Sequence, residues 1–125
     1  MKGPHIKLKR VYEAWSRDDG QRILVDRIWS RGVTKAELHL DCWTREIAPS
    51  TELRRWFGHD RAKWEEFKRR YFRELAQRRQ MVDGLLHKLG EGTLTLVFAA
   101  GDARCNNAVA LKEYLEHRVQ GDRSE

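Results

Sequence analysis

A chain of 125 residues is long enough for one domain with a real core and too short for two of ordinary size. It holds no apolar run of about eighteen residues, which excludes a membrane-spanning helix, and its two cysteines, Cys42 and Cys105, show no metal-ligand spacing. Charged residues make up 35% of the chain with both signs interspersed, and the net charge is +6. That balance describes a solvated globule drawn to anionic partners rather than a basic tail.

Met1-Lys2-Gly3-Pro4-His5 has no apolar signal-peptide core, so the expected setting is the reducing cytoplasm. Ile6 to Tyr12 alternates and reads as a first strand. Ile23-Leu24-Val25, preceded by the turn-forming Asp18-Asp19-Gly20, reads as a buried second strand. The connection between them, from about Ala14 to Gln21, is too short for a helical crossover and predicts an antiparallel hairpin. Thr34 with Glu37 is a capping box for a short helix. Alternation at Leu38, Leu40 and Cys42 then suggests a brief edge strand.

Ser50 is placed to cap a helix over Thr51 to Phe57, with Gly58 as its stop. Asp60 caps the next and longest helix, whose buried stripe is Trp64, Phe67, Tyr71 and Leu75. After a break near Gln77 to Gln80, Met81, Leu85 and Leu89 continue a helical pattern that Gly90-Glu91-Gly92 ends. Thr93 to Ala100 is a second buried strand, expected beside the Ile23 strand and parallel to it. Ala108, Leu111 and Leu115 define a last helix ending near Arg118. The reading is a single α/β domain with its core over about 6–118 and a frayed tail over 119–125. Its short central sheet, mixed or parallel, has about three to four strands flanked by helices.

Both apolar strands end in chemistry-bearing residues, and the carboxyl ends of strands are where open α/β sheets bind ligands. Asp26, Arg27, Trp29 and Arg31 follow the first; Asp102, Asn106 and Asn107 follow the second. Arginine offers a planar fork of donors matched to phosphate or carboxylate, so Arg27 and Arg31 are candidate anion clamps. The same Asp–Arg pair would also serve to fasten a strand to a helix. Asn106 and Asn107 sit at a helix start, where free N–H groups favour an anion and where asparagine also acts as a plain cap. Trp29 and Trp56 are candidates to stack on a ring. Asp26, Asp102 and His59 are the candidate acid–base groups. Cys105, near a helix start, has neither a base nor a cradle of donors beside it and reads as incidental. The histidines show no arrangement resembling a metal site, and with Gly101 alone and no Gly-Lys-Ser/Thr there is no phosphate loop; a carboxylate-held Mg²⁺ leaves little trace in sequence, so the cofactor stays unknown.

The Arg-rich helix 60–79 invites a nucleic-acid reading. Glu65 stands four before Arg69, Glu66 four before Arg70, and Glu74 four after Arg70, so local ion pairs absorb several of its cations. A helix that binds phosphates leaves them unpaired.

Several blocks run in a recognisable order. They are Val25-Asp26-Arg27-Ile28-Trp29-Ser30-Arg31-Gly32, Ala48-Pro49-Ser50, Leu53-Arg54-Arg55-Trp56-Phe57, His59-Asp60, and the stripe from Trp64 to Glu74-Leu75. With Ala99-Ala100, Asp102, Asn106, Ala108, Leu111 and Leu115, the chain resembles the small YeaO-like proteins of the family called domain of unknown function 488, over about Ile6 to Leu115. The resemblance implies a small α/β cytoplasmic bacterial protein. It also implies parallel first strands, because longer members carry a helix between them. The chain departs from the pattern at Ser30, where Trp-Pro-Arg-Gly is usual, and at Arg104-Cys105, where an acidic residue and histidine are common. The polar members of the string fall mostly at strand ends and helix starts. The leading expectation is therefore a strand-end pocket for a small anionic ligand, a nucleotide or phosphorylated metabolite, with hydrolase or transferase chemistry permitted but not demanded. The alternative is a nucleic-acid-binding or regulatory protein that uses the Arg-rich helix.

Overall fold

A computed structural model describes residues 5–123 of the chain; Met1 to Pro4 and residues 124–125, which hold the start of the expected leader-free segment and the end of the expected tail, lie outside the described residues. The strands are β1 (His5–Arg10), β2 (Gln21–Leu24), β3 (Cys42–Trp43) and β4 (Thr93–Phe98). They form one sheet in the order β1-β4-β2-β3, every neighbouring pair parallel. The helices are α1 (Lys35–Leu38), α2 (Thr51–Phe57), α3 (Trp64–Gln77), α4 (Arg79–Leu89) and α5 (Asn107–Arg123).

β2 and β4 lie side by side and parallel, as their apolar patterns predict. The expected hairpin between β1 and β2 is overturned: β4 stands between them. Ile6 and Gln21 both face Leu94 in register, so the chain must return about four residues and cross two strand spacings. That is roughly 13 Å back and 10 Å across. Residues 11–20 reach about 33 Å when extended, so a crossover needs length here and not a helix.

The two faces of the sheet are covered differently. Ile6, Ile23, Val25, Leu94, Leu96 and Phe98 meet the buried stripes of α3, α4 and α5 in the main core. On the other face Leu24, Val97, Val11 and Leu38 make a smaller cluster with Trp29, Val33 and Trp43 half-buried around it, so loops cover this side. The crossover is fastened there by Asp19, wholly buried, whose carboxylate takes Lys7 at 2.9 Å, Lys9 at 3.0 Å and Arg22 at 2.6 Å. Thr95 Oγ1 donates to the Asp19 carbonyl, tying the crossover to β4. Gly20 follows at φ +62°, and a Cβ there would collide with the Thr93 carbonyl.

Local signals place most helix ends. Thr34 and Glu37 form the capping box of α1, and Ser50 Oγ accepts the Leu53 N–H at the start of α2. Asp60 caps the short 3-10 turn Arg61–Lys63 that runs into α3, and the chain breaks at Arg78 between α3 and α4. Three details differ from expectation. Leu38 closes α1, so only Cys42–Trp43 is extended. The longest helix is α5, 17 residues against 14 in α3. It also continues past Arg118 to Arg123, since Val119 still packs on the core and Arg118 bridges to Asp83 of α4 at 2.8 Å. No helix among the described residues is long and apolar enough to cross a membrane.

Candidate functional site

The chain leaving β2 turns to the loop-covered face, where Trp29 and Leu38 pack, while the chain leaving β4 turns into α5 on the helix-covered face. Diverging connections open a crevice between adjacent parallel strands. At that crevice lies a cavity of about 450 Å³, within the roughly 300–1,000 Å³ usual for small-molecule sites.

Asp26 bridges the split. Its Oδ2 accepts the Ala99 N–H beyond β4 at 2.9 Å, and its Oδ1 accepts the Asn107 amide of α5 at 3.1 Å. The same amide nitrogen donates to the Val25 carbonyl at 3.1 Å. Burial pushes the Asp26 carboxyl above its ordinary value, against the lowering effect of Asn107, the Ala99 N–H and the charge of Arg54. Arg27 leans on the wall below α2, its Nε donating to the Pro49 carbonyl at 3.3 Å and its Nη2 to the Ala48 carbonyl at 3.2 Å. Its Nη1 makes no hydrogen bond among the described residues.

Asn106 is buried and works as a cap: its Oδ1 accepts the Val109 N–H and its Nδ2 donates to the Asp102 carbonyl. Trp29 lines the cavity but is held from behind, Nε1 donating to the Val33 carbonyl at 2.7 Å and the ring set edge-on to Trp43. His59 stands at the mouth. It follows Gly58 in the left-handed region, at φ +59° after φ +53°, because the chain must turn back within three residues for Phe67 of α3 to stack on Phe57 of α2 at 4.3 Å.

Three expected site residues lie outside the lining. Asp102 pairs with Arg61 through both oxygens, at 2.9 and 3.1 Å, and accepts the Arg104 and Cys105 N–H groups. The Arg61 guanidinium and those N–H groups hold its carboxyl well below the usual carboxylate range, and the pair fastens the loop after β4. Trp56 is not in the lining, and its ring is taken up by cations, with Arg70 at 4.1 Å and Lys63 at 5.1 Å from its centroid. Arg31 is exposed beyond the lining.

Arg54 lines the cavity in its place, one position past the buried Leu53 of α2. It makes no hydrogen bond or ion pair among the described residues, although its charge reaches Asp26. The signal for it was present: with Leu53 and Phe57 turned inward, Arg54 falls on the flank of the apolar stripe. Ser30 also lines the cavity, its Oγ buried without a partner among the described residues.

On α3 the cations are largely committed. Arg69 and Arg70 both pair with Glu66, and Lys68 pairs with Glu65 and Glu113. Glu74 does not serve Arg70 as expected; it clamps the start of α2, accepting Ser50 N–H at 2.8 Å and Ser50 Oγ–H at 2.6 Å.

Residues 5–125 match the family model described as the inactive DUF488-N3 subclade. The chain is 41% identical to the uncharacterized protein YeaO of Escherichia coli (strain K12) over 111 residues, covering 89% of this chain and 96% of that protein. An uncharacterized protein of Mycobacterium tuberculosis is 38% identical over 114 residues, covering 90% of this chain and 95% of its own length. No solved structure matches the chain significantly.

Proposed function

The chain belongs to the DUF488 family, in the subclade described as inactive, and on that premise we propose that it binds a small anion at the strand ends without turning it over. The ligand class is a nucleotide or phosphorylated metabolite. The observation that carries this reading is Arg54: a guanidinium with no ion pair or hydrogen bond among the described residues, sharing a cavity with Arg27 and its unused Nη1. Two guanidinium groups on one cavity supply convergent donors for a phosphate-like group. Buried Phe57 and Phe67, with Ala99 and Ala100, give an apolar surface for the rest of the ligand. The first turn of α5 adds the positive end of a helix dipole.

We favour binding over chemistry because two of the three acid–base candidates, Asp26 and Asp102, already hold hydrogen-bond partners. Both Asp26 oxygens accept hydrogen bonds, both Asp102 oxygens serve Arg61, and Cys105 stands off the cavity.

Thermal shift against nucleotides and sugar phosphates tests the proposal, since a ligand of the native state raises the melting temperature by mass action. A shift in wild type that disappears in Arg54→Ala supports it. Arg54 is the better probe than Arg27, whose side chain also braces two carbonyls. A shift seen only with oligonucleotides, erased by salt and kept in Arg54→Ala, would instead move the function to the Arg-rich helix, where Arg73 makes no ion pair among the described residues.

A further inference from the structure

We propose that an anion enters this cavity together with a proton, held by Asp26. The inference rests on the cavity being an anion site and adds how that site is regulated. Asp26 lines the same cavity as Arg27 and Arg54. An ionised Asp26 therefore competes with the incoming anion for the arginines and repels it in a partly desolvated space, where charges are poorly screened. A neutral Asp26 does neither.

The hydrogen bonds around Asp26 accommodate the proton. Each of its oxygens has one donor, Ala99 N–H on Oδ2 and the Asn107 amide on Oδ1. A protonated carboxyl oxygen keeps acceptor capacity. The Asn107 amide also has the Val25 carbonyl at the same 3.1 Å, so it is not orphaned if Oδ1 turns donor.

The charged and titratable groups around Asp26 are few. Arg27 belongs to its own segment, Arg54 comes from α2, and His59 from the loop after it. From α3 comes Tyr71, whose buried hydroxyl donates to the Ile47 carbonyl at 2.7 Å and stays neutral. The ends of β4 and α5 contribute only an N–H and an amide. No cation among the described residues hydrogen-bonds Asp26, and burial already pushes its carboxyl up.

Calorimetry with inorganic sulfate is the test, because sulfate keeps its charge where phosphate would itself titrate. Wild type should take up close to one proton per sulfate, read from the dependence of the heat on buffer ionisation. Its affinity should fall, by up to tenfold per unit, as pH rises above the raised folded value of Asp26. Asp26→Asn should bind with no proton uptake and a flat profile, whereas His59→Gln should keep the slope. Should Asp26→Asn fail to fold, the carbon resonance of the wild-type Asp26 carboxyl reports the same event: its titration midpoint must rise when sulfate is added. Binding with no proton uptake, a slope that follows His59, or an unmoved midpoint overturns the coupling and leaves the anion site standing. Failure of every sulfate, nucleotide and sugar phosphate probe to bind overturns the anion site and the coupling with it.

Discussion

Two aspartates stand at opposite ends of β2, Asp19 buried and Asp26 half-buried, and they behave in opposite ways. Asp19, just before the strand, is shut away from water, and its burial alone would push the carboxyl up; hydrogen bonds from Lys7, Lys9, the Ser16 N–H and Arg22 outweigh that and hold it far below the ordinary value. Asp26, just after the strand, has only an N–H and an amide for partners, so burial wins and the carboxyl is pushed up. Burial alone therefore says little about what a carboxylate does. Committed cations make Asp19 a fastener of the crossover. Their absence at hydrogen-bonding distance makes Asp26 a group whose charge state remains open to a ligand.

The largest expected effect removes the first of these. Asp19→Ala strands the buried Arg22 guanidinium and two half-buried lysines, and should cost about 3 kcal/mol in urea unfolding. A loss under about 1 kcal/mol would mean the cluster is not what holds the crossover.

The next effect is a difference in sign. The depressed Asp19 stabilises the fold above its ordinary value of 3.8, and that contribution is lost as pH falls below it. The raised Asp26 works the other way: its contribution is full below 3.8 and is lost as pH rises through its folded value. Asp26→Asn should thus gain on wild type as pH rises through that window. Asp19→Asn should lose ground as pH rises through about 4. Parallel pH profiles for the two variants would erase the distinction.

His59→Gly should raise stability by about 0.5 kcal/mol, by releasing a left-handed backbone from its Cβ. The smallest change is expected at Arg54→Ala, within about 0.5 kcal/mol of wild type, since its exposed head makes no ion pair among the described residues. If this variant unfolds readily, Arg54 belongs to the scaffold and not to the site.

Much of the fold was legible because its signals are local. The capping box at Thr34 and Glu37, the Ser50 cap, the stop at Gly58 and the stripe Phe67, Tyr71 and Leu75 each involve residues within a few positions of one another. That a cavity opens at the strand ends was legible from nearby residues too: Asp26 and Arg27 closely follow β2, Asn106 and Asn107 stand at the start of α5 after β4, and all four line it. That Trp56 stands off the cavity lining was not legible, because the cation over its ring, Arg70, comes from another helix.

By itself the sequence determined an α/β domain, two parallel central strands and most helix ends, and it pointed to the edge of the sheet where the cavity opens. Only the tertiary structure decided that β4 separates β1 from β2, that Arg54 replaces Arg31 on the cavity wall, and that Asp102 is spent on Arg61. The physical reason is range. A strand or a cap is settled by neighbours in the chain, but the charge state of Asp26 depends on Ala99 and Asn107, 73 and 81 residues away, which meet it only once the sheet has closed around β4.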